Sequence, residues 1–277
     1  EKYCGPGDVL YAIPKRIAKN HKGDFGRLLV VGGSRNYVGT PTLVGWGASA
    51  VGCDIVNLCV PQYVADHMHT DPNLLVTPLK SSESLKESDV EDILNQRFDA
   101  LALGNGLGRG KESKAALKKL LTQVDKPAIL DADALTLVEV DWVGENMVVT
   151  PHSKEFKALF GVEVEGDIST LVEQQAKKYG CVVVLKGAED IVSDGQITRF
   201  NKTGNAYMTK GGTGDVLAGA VGGLLAQNKD PYLSSCAGVF LTGYAGDLAR
   251  DFYMESLTPQ DVVESIPSAI KYCRDFL

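Results

Sequence analysis

The sequence predicts an α/β fold, a three-layer α/β/α sandwich around a mostly parallel sheet with an antiparallel hairpin. Short apolar runs bounded by turn residues recur at regular intervals, with segments of helical period between them. Most of these runs are continuously apolar rather than alternating, as expected for parallel strands covered on both faces. No low-complexity linker divides the 277 residues, so a single domain, 1–277, is expected.

Taken in order, strands are expected at Arg27–Val31, Ile55–Val60, Ala100–Leu103, Ala128–Leu130, Met147–Val149 and Cys181–Leu185. Helical periodicity fills the intervals at Pro41–Gly52, Glu83–Gln96, Glu112–Gln123, Ser153–Phe160 and Ser169–Tyr179. The polar stretch Ser81–Asp92 reads as the start of an exposed helix rather than as a domain boundary. Asp190–Ser193 and Gln196–Phe200 flank Asp194-Gly195, which reads as a two-residue hairpin turn with positive φ at both positions. Three helices close the chain, Gly214–Gln227, Leu233–Asp251 and Pro259–Phe276. Asp230-Pro231 and Thr258-Pro259 supply start signals by placing proline at the first helical position.

Composition narrows the function. With 28 Lys plus Arg against 35 Asp plus Glu the formal charge is −7, which argues against a surface built to neutralise phosphates along nucleic acid. A buried site for one small anionic molecule stays compatible with that balance. The longest low-charge stretches, Val38–Cys53 and Val216–Gln227, are shorter than the ~18 apolar residues of a membrane span and are broken by small or polar residues. No secretory signal opens the chain, and none of the six cysteines forms a Cys-x-x-Cys pair, so reduced, mostly buried thiols in a cytoplasmic protein are expected. A chain of this length buries roughly 73% of its unfolded surface, enough for a core that needs no disulfide or metal. Glycine is the outlier, 30 residues, and the excess asks for tight turns or close backbone approach. The first residue is Glu1 rather than methionine, consistent with a processed chain or a domain cut from a longer, bifunctional one.

The common nucleotide motifs are absent. Gly32-Gly33-Ser34 does not continue as G-x-G-x-x-G, Gly104-Asn105-Gly106-Leu107-Gly108 is followed by Arg109 where that pattern needs glycine, and Gly110-Lys111-Glu112 is not a Walker loop. The strongest positive signal is Gly211-Gly212-Thr213-Gly214-Asp215, leading into an apolar helix. Glycines at a helix start let several N–H groups converge on an anion where the helix dipole is positive, forming a phosphate cradle. Asp215 then stands beside the phosphate, able to accept a proton from a substrate hydroxyl. The competing reading makes Thr213 or Asp215 an N-cap and the glycines a turn. Lys186-Gly187 ends an apolar strand at the sheet edge where open α/β sheets bind ligands, or is a solvated strand end. Asp131-Ala132-Asp133 offers carboxylates to a substrate or metal, or a helix cap. His152 and Glu155, three apart at a helix start, can point into one site or form a capping box.

Together, Gly23-Asp24-Phe25-Gly26-Arg27-Leu28-Leu29-Val30-Val31-Gly32-Gly33-Ser34, Tyr37-Val38-Gly39-Thr40-Pro41, Leu130-Asp131-Ala132-Asp133-Ala134-Leu135, Thr150-Pro151-His152, Leu185-Lys186-Gly187-Ala188 and Gly211-Gly212-Thr213-Gly214-Asp215-Val216-Leu217-Ala218-Gly219 resemble the ADP- or ATP-dependent NAD(P)H-hydrate dehydratases. Gly-Thr-Gly-Asp alone marks the wider ribokinase-like group, whereas the opening string with Thr-Pro-His is more specific. The resemblance implies a ribokinase-like fold and coenzyme repair. ADP or ATP, with Mg2+, phosphorylates the ring hydroxyl of hydrated NADH or NADPH, and loss of phosphate restores the reduced coenzyme. It further implies that Lys186, Gly187, Ala188, Glu189, Asp190 and Gly214 line the adenine nucleotide, with Gly211, Gly212 and Thr213 in the cradle. Thr40, Gly106, His152 and Asp215 meet the hydrate, and Asp215 is the catalytic base. Glu155 is the candidate carboxylate for Mg2+, acting through water. A homo-oligomer and a fused or separate NAD(P)H-hydrate epimerase are the implied partners, without nucleic acid or membrane.

Three residues depart from the family pattern. Thr40 stands where alanine is usual and Lys154 where glycine is usual, both bearing on the fine shape of the hydrate pocket. Lys210 replaces a small or apolar residue before the glycine pair and could add charge near the phosphates. The rival within the fold is a kinase of the hydroxyethylthiazole, hydroxymethylpyrimidine or pyridoxal type. Such kinases tend to carry Asn-x-x-Glu, which occurs nowhere here. A non-catalytic nucleotide sensor is the rival from another class, and the intact Asp215 counts against it.

Overall fold

The computed structural model describes residues 2–69 and 71–276. Its sheet runs in the order β3 (Leu75–Pro78), β2 (Ile55–Val60), β1 (Arg27–Val31), β4 (Ala100–Leu103), β5 (Ala128–Leu130), β6 (Met147–Val149), β7 (Val182–Leu185), β8 (Asp190–Ser193), β9 (Thr198–Asn201). Pairing is parallel from β3 to β7 and antiparallel from β7 to β9. Val30 and Leu29 illustrate why the strands are continuously apolar: they are neighbours on one strand and belong to cores on opposite faces. The expected three-layer arrangement is therefore present.

One face is covered by α1 (Pro6–Ala12), α2 (Thr40–Ala50), α9 (Thr213–Asn228), α10 (Pro231–Tyr253) and α11 (Pro259–Asp275). The other carries α4 (Val90–Leu94), α5 (Lys111–Gln123), α6 (Asp133–Leu137), α7 (Ser153–Phe160) and α8 (Ile168–Tyr179), while α3 (Gln62–His67), beside β3, packs Val64 into the core of the first face. Part of the glycine excess is explained by turns, where thirteen glycines have positive φ, and part by the crossing of α9 and α2. A Cβ on Gly219 would lie 2.0 Å from the Val44 carbonyl oxygen, so the two backbones meet with no side chain between them. That contact buries α9 and fixes its first turn at the carboxyl edge of the strands.

Several sequence expectations are corrected. β3 was missed because it is a four-residue edge strand ending in proline, with no continuous buried run. The helices α1, α3 and α6 are each seven residues or fewer, too short to show a period. The helix expected over Glu83–Gln96 contracts to a 3-10 turn, Glu87–Asp89, and α4, because the buried Asp89 carboxylate accepts from Ser81 and Lys86 N–H and holds the preceding segment in a loop. Cys181 belongs to the helix exit, its N–H donating to the Ala176 carbonyl. The Asp194-Gly195 turn is a four-residue loop, Asp194 to Ile197, with positive φ only at Gly195 (84°). Asp194 Oδ1 accepts from the N–H groups of Gln196 (2.8 Å) and Ile197 (2.7 Å), a side-chain turn that removes the need for a second left-handed residue. All six cysteines are free and buried. No helix among the described residues is long and apolar enough to cross a membrane.

Candidate functional site

Four strand ends converge on the start of α9. β4 leads into Gly104-Asn105-Gly106, β5 into Asp131-Ala132-Asp133, β6 into Thr150-Pro151-His152, and β7 into Lys186-Gly187. Their side chains form one buried network. Asp131, 2% exposed, accepts at Oδ1 from Lys186 Nζ (2.7 Å) and Thr150 Oγ1 (2.8 Å), and at Oδ2 from Asn105 Nδ2 (3.0 Å). The same Asn105 nitrogen donates to Asp215 Oδ1 at 2.6 Å. Asp215 is the third residue of α9 and is buried.

Burial pushes the Asp215 carboxyl up to about 7; the Asn105 hydrogen bond opposes the rise and the neighbouring Asp131 charge adds to it. For Lys186, burial works against the charge, but Asp131 and Glu155 outweigh it and hold the ammonium above the usual lysine range. The site thus pairs a permanent cation with a carboxylate that exchanges its proton near neutrality, the condition a general base needs.

Two cavities flank this junction. The first, about 1000 Å³, is lined by His152, Lys186, Gly187, Ala188, Asp190, Gly211, Thr213 and Gly214, so it gathers most of the residues expected around the nucleotide. Thr213 Oγ1 is buried without a hydrogen-bond partner among the described residues, a donor left over at the cradle. Glu189 lies outside that lining, exposed beside Lys202, and Gly212 faces the second cavity. Asp190 is committed to Gly187 N–H and Asn201 Nδ2, and burial raises its pKa against both bonds. The first cavity also takes in Thr203, Gly204, Asn205 and Ala206 and, from α10, Thr242, which no sequence motif marks. Lys210 lines it too, although its Nζ lies 2.5 Å from the Glu255 carbonyl oxygen.

The second cavity, about 940 Å³, is lined by Tyr37, Val38, Thr40, Leu43, Trp46 and Asp215, with His69, Asp71 and Asn73 at its far side. It brings Thr40 and Asp215 together. His152 stays in the first cavity. Gly106 faces neither, but a Cβ there would lie 2.4 Å from Thr40 Oγ1 and 2.7 Å from Tyr37 Cβ, so its absence allows the cavity wall to pack.

The two residues of the capping-box alternative do cap. His152 Nδ1 accepts from Lys154 and Glu155 N–H, and Glu155 Oε2 accepts from His152 N–H. Asp133 takes the structural part of its tripeptide, accepting from Gly108 N–H and Arg109 Nε, and the turn between the two aspartates is strained at Ala132 (φ 52°). Among the described residues no group of three or more His, Cys, Asp or Glu is placed to hold a metal. Glu155, the sequence candidate for Mg2+, is buried 3.9 Å from Lys186 Nζ, and its Oε2 accepts from His152 N–H.

Comparison with known proteins gives the family. The family model described as NAD(P)H-hydrate dehydratase matches residues 28–268. A bifunctional NAD(P)H-hydrate repair enzyme of Hyperthermus butylicus is 38% identical over 98% of this chain and 53% of its own length. The chain therefore spans about half the length of the bifunctional relatives it matches. The ADP-dependent (S)-NAD(P)H-hydrate dehydratase of Cenarchaeum symbiosum is 37% identical, covering 98% of this chain and 97% of the relative. Among solved structures, the ADP/ATP-dependent NAD(P)H-hydrate dehydratase of Bacillus subtilis, co-crystallised with ATP/Mg2+, superposes with a TM-score of 0.86 at 26% identity, over 98% of each chain. The fold neighbours are ribokinase-like, as the sequence resemblance implied. With the model spanning most of the sequence and relatives matched end to end, the chain belongs to the NAD(P)H-hydrate dehydratase family.

Proposed function

We propose that the protein dehydrates hydrated NADH or NADPH to the reduced coenzyme, using ADP or ATP as phosphoryl donor. The observation that supports this best is the buried Asp215, which lines the second cavity at the start of the helix that borders the first. Nucleotide phosphates lie against Gly211 to Gly214, where α9 N–H groups and the Lys186 ammonium face them. The hydrated ring enters from the side of Thr40. Asp215 takes the proton of the ring hydroxyl as its oxygen attacks the terminal phosphorus, and the nucleotide leaves one phosphate shorter. The ring nitrogen lone pair then expels inorganic phosphate as the carbon–oxygen bond breaks, and loss of a proton from the adjacent carbon restores the double bond. Glu155 would hold, through water, a Mg2+ that accompanies the nucleotide and would neutralise charge on its phosphates. An NAD(P)H-hydrate epimerase, fused or separate, is the partner this reading calls for.

Incubation of hydrated NADH or NADPH with the protein, ADP or ATP, and Mg2+ should restore near-ultraviolet absorbance. No recovery with either nucleotide, together with turnover of a hydroxyethylthiazole, hydroxymethylpyrimidine or pyridoxal substrate, would assign the protein to the kinases instead.

A further inference from the structure

We infer, on the reading of Asp215 as proton acceptor, that Asn105 is a positioning residue whose one amide nitrogen, shared between Asp131 and Asp215, separates the two carboxylates and holds Asp215 aimed for proton transfer. Asn105 is 2% exposed, and its Nδ2 reaches Asp131 Oδ2 at 3.0 Å and Asp215 Oδ1 at 2.6 Å. An amide nitrogen has two hydrogens and no proton to give up, so it can satisfy one oxygen of each carboxylate without itself titrating. Its backbone is held as well: the Asn105 carbonyl oxygen accepts from Gly33 N–H at 2.9 Å, and a Cβ on Gly32 would lie 2.5 Å from that oxygen. The side chain therefore projects from a loop clamped to the end of β1.

The alternative arrangement shows what the amide prevents. Two buried carboxylates facing each other directly tend to share a proton, which would leave Asp215 protonated and unable to act as a base. Around Asp215 the other charged groups are Asp131 after β5, Asp133 at the start of α6 and Lys186 after β7. Glu155 of α7 reaches Lys186, and His69 and Asp71 line the same cavity from beyond α3. Lys186 is bonded to Asp131 rather than to Asp215, so the direct neutral contact on the base is Asn105.

The test is Asn105→Leu, similar in size and without donors, with Asn105→Ser as a second variant that keeps one short hydroxyl unable to span both carboxylates. Two readouts are taken: the acid limb of kcat/KM for the hydrate against pH, and a 13C-detected carboxyl titration of Asp215 in the nucleotide-free protein, assigned against Asp215→Asn. Loss of a hydrogen bond to the charged form should move both upward by about one pH unit or more. Activity should recover partly at high pH, and nucleotide Kd should change by less than about threefold. An Asp215 titration that stays in place in a folded variant would overturn the role of Asn105, whatever happens to turnover. The base reading fails separately, through an active Asp215→Asn, because the carboxyl titration needs no turnover.

Discussion

The two cavities at the start of α9 are nearly equal in size and differ in charge: a lysine pair, Lys186 and Lys210, lines the first, whereas Asp71 and Asp215 line the second. The first carries the Lys186 ammonium, the exposed Gly187 and Gly211 and the Thr213 hydroxyl, which has no partner among the described residues. The second is walled by Tyr37, Val38, Leu43 and Trp46, whose indole N–H is already satisfied by Asp71 at 2.6 Å, leaving its ring as apolar surface. Under the proposed function, the cationic side suits phosphates, and the aromatic and aliphatic wall of the second cavity, with polar groups beside it, suits a flat, partly reduced ring. Asp215 belongs to the lining of the second while standing on the helix that makes the cradle of the first. Under the proposed function the division of labour follows from placement: charge would bind on one side, shape would select on the other, and the Asp215 carboxylate would work between them.

The largest effect expected is on chemistry alone. Asp215→Asn keeps the size and one acceptor oxygen, so ligand affinity on both sides should hold within a few-fold while kcat falls on the order of 10²–10⁴, read by steady-state kinetics and nucleotide binding. Near wild-type turnover would make Asp215 a helix residue of no catalytic importance and direct attention to His152. Next in size, Lys186→Ala should act on the first cavity: nucleotide Kd rises about 10–100-fold, as loss of a charged hydrogen-bonding group implies, while KM for the hydrate moves much less. Equal losses for both ligands would mean that the cavities are not separate binding sites.

The smallest effect is on stability. The Asp215 carboxyl titrates at about 7 in the folded chain against an ordinary value near 4, so the folded state binds this proton more tightly than the unfolded state does. Its burden on folding is absent below the unfolded value and grows as pH rises through about 7. Asp215→Asn should therefore be more stable than the parent above pH 7, by a few kcal/mol at most, with the gain fading toward about pH 4; denaturant melts at both pH values measure it. A gain independent of pH would place the ordinary, ionised carboxylate there instead.

The contrast between the cavities also shows what a sequence can reveal. The cradle was legible because it is local: consecutive glycines, a carboxylate and a helix start within five residues. The central strands were legible for the same reason, being short runs of buried residues. Asn105 was not, since its partners lie 26 and 110 residues away and its own loop resembles a failed dinucleotide fingerprint. The far wall of the second cavity was equally hidden, because Trp46, His69 and Asn73 share no spacing and meet only through the packing of α2 against the chain beyond α3. Asp131 was visible as a carboxylate after a strand, but its partnership with Lys186 spans 55 residues and needed the fold. His152 and Glu155 had the right spacing for two outcomes, and the structure realises the cap while still leaving His152 on the first cavity.

The assignment of one ligand to each cavity is tested most directly by a crystal structure of the protein grown with ADP. The account predicts phosphates against the backbone of Gly211 to Gly214 within reach of Lys186, with the cavity around Thr40 and Trp46 open to the second substrate. Nucleotide phosphates bound along Gly32–Gly39, or the adenine ring seated on Trp46, would contradict it.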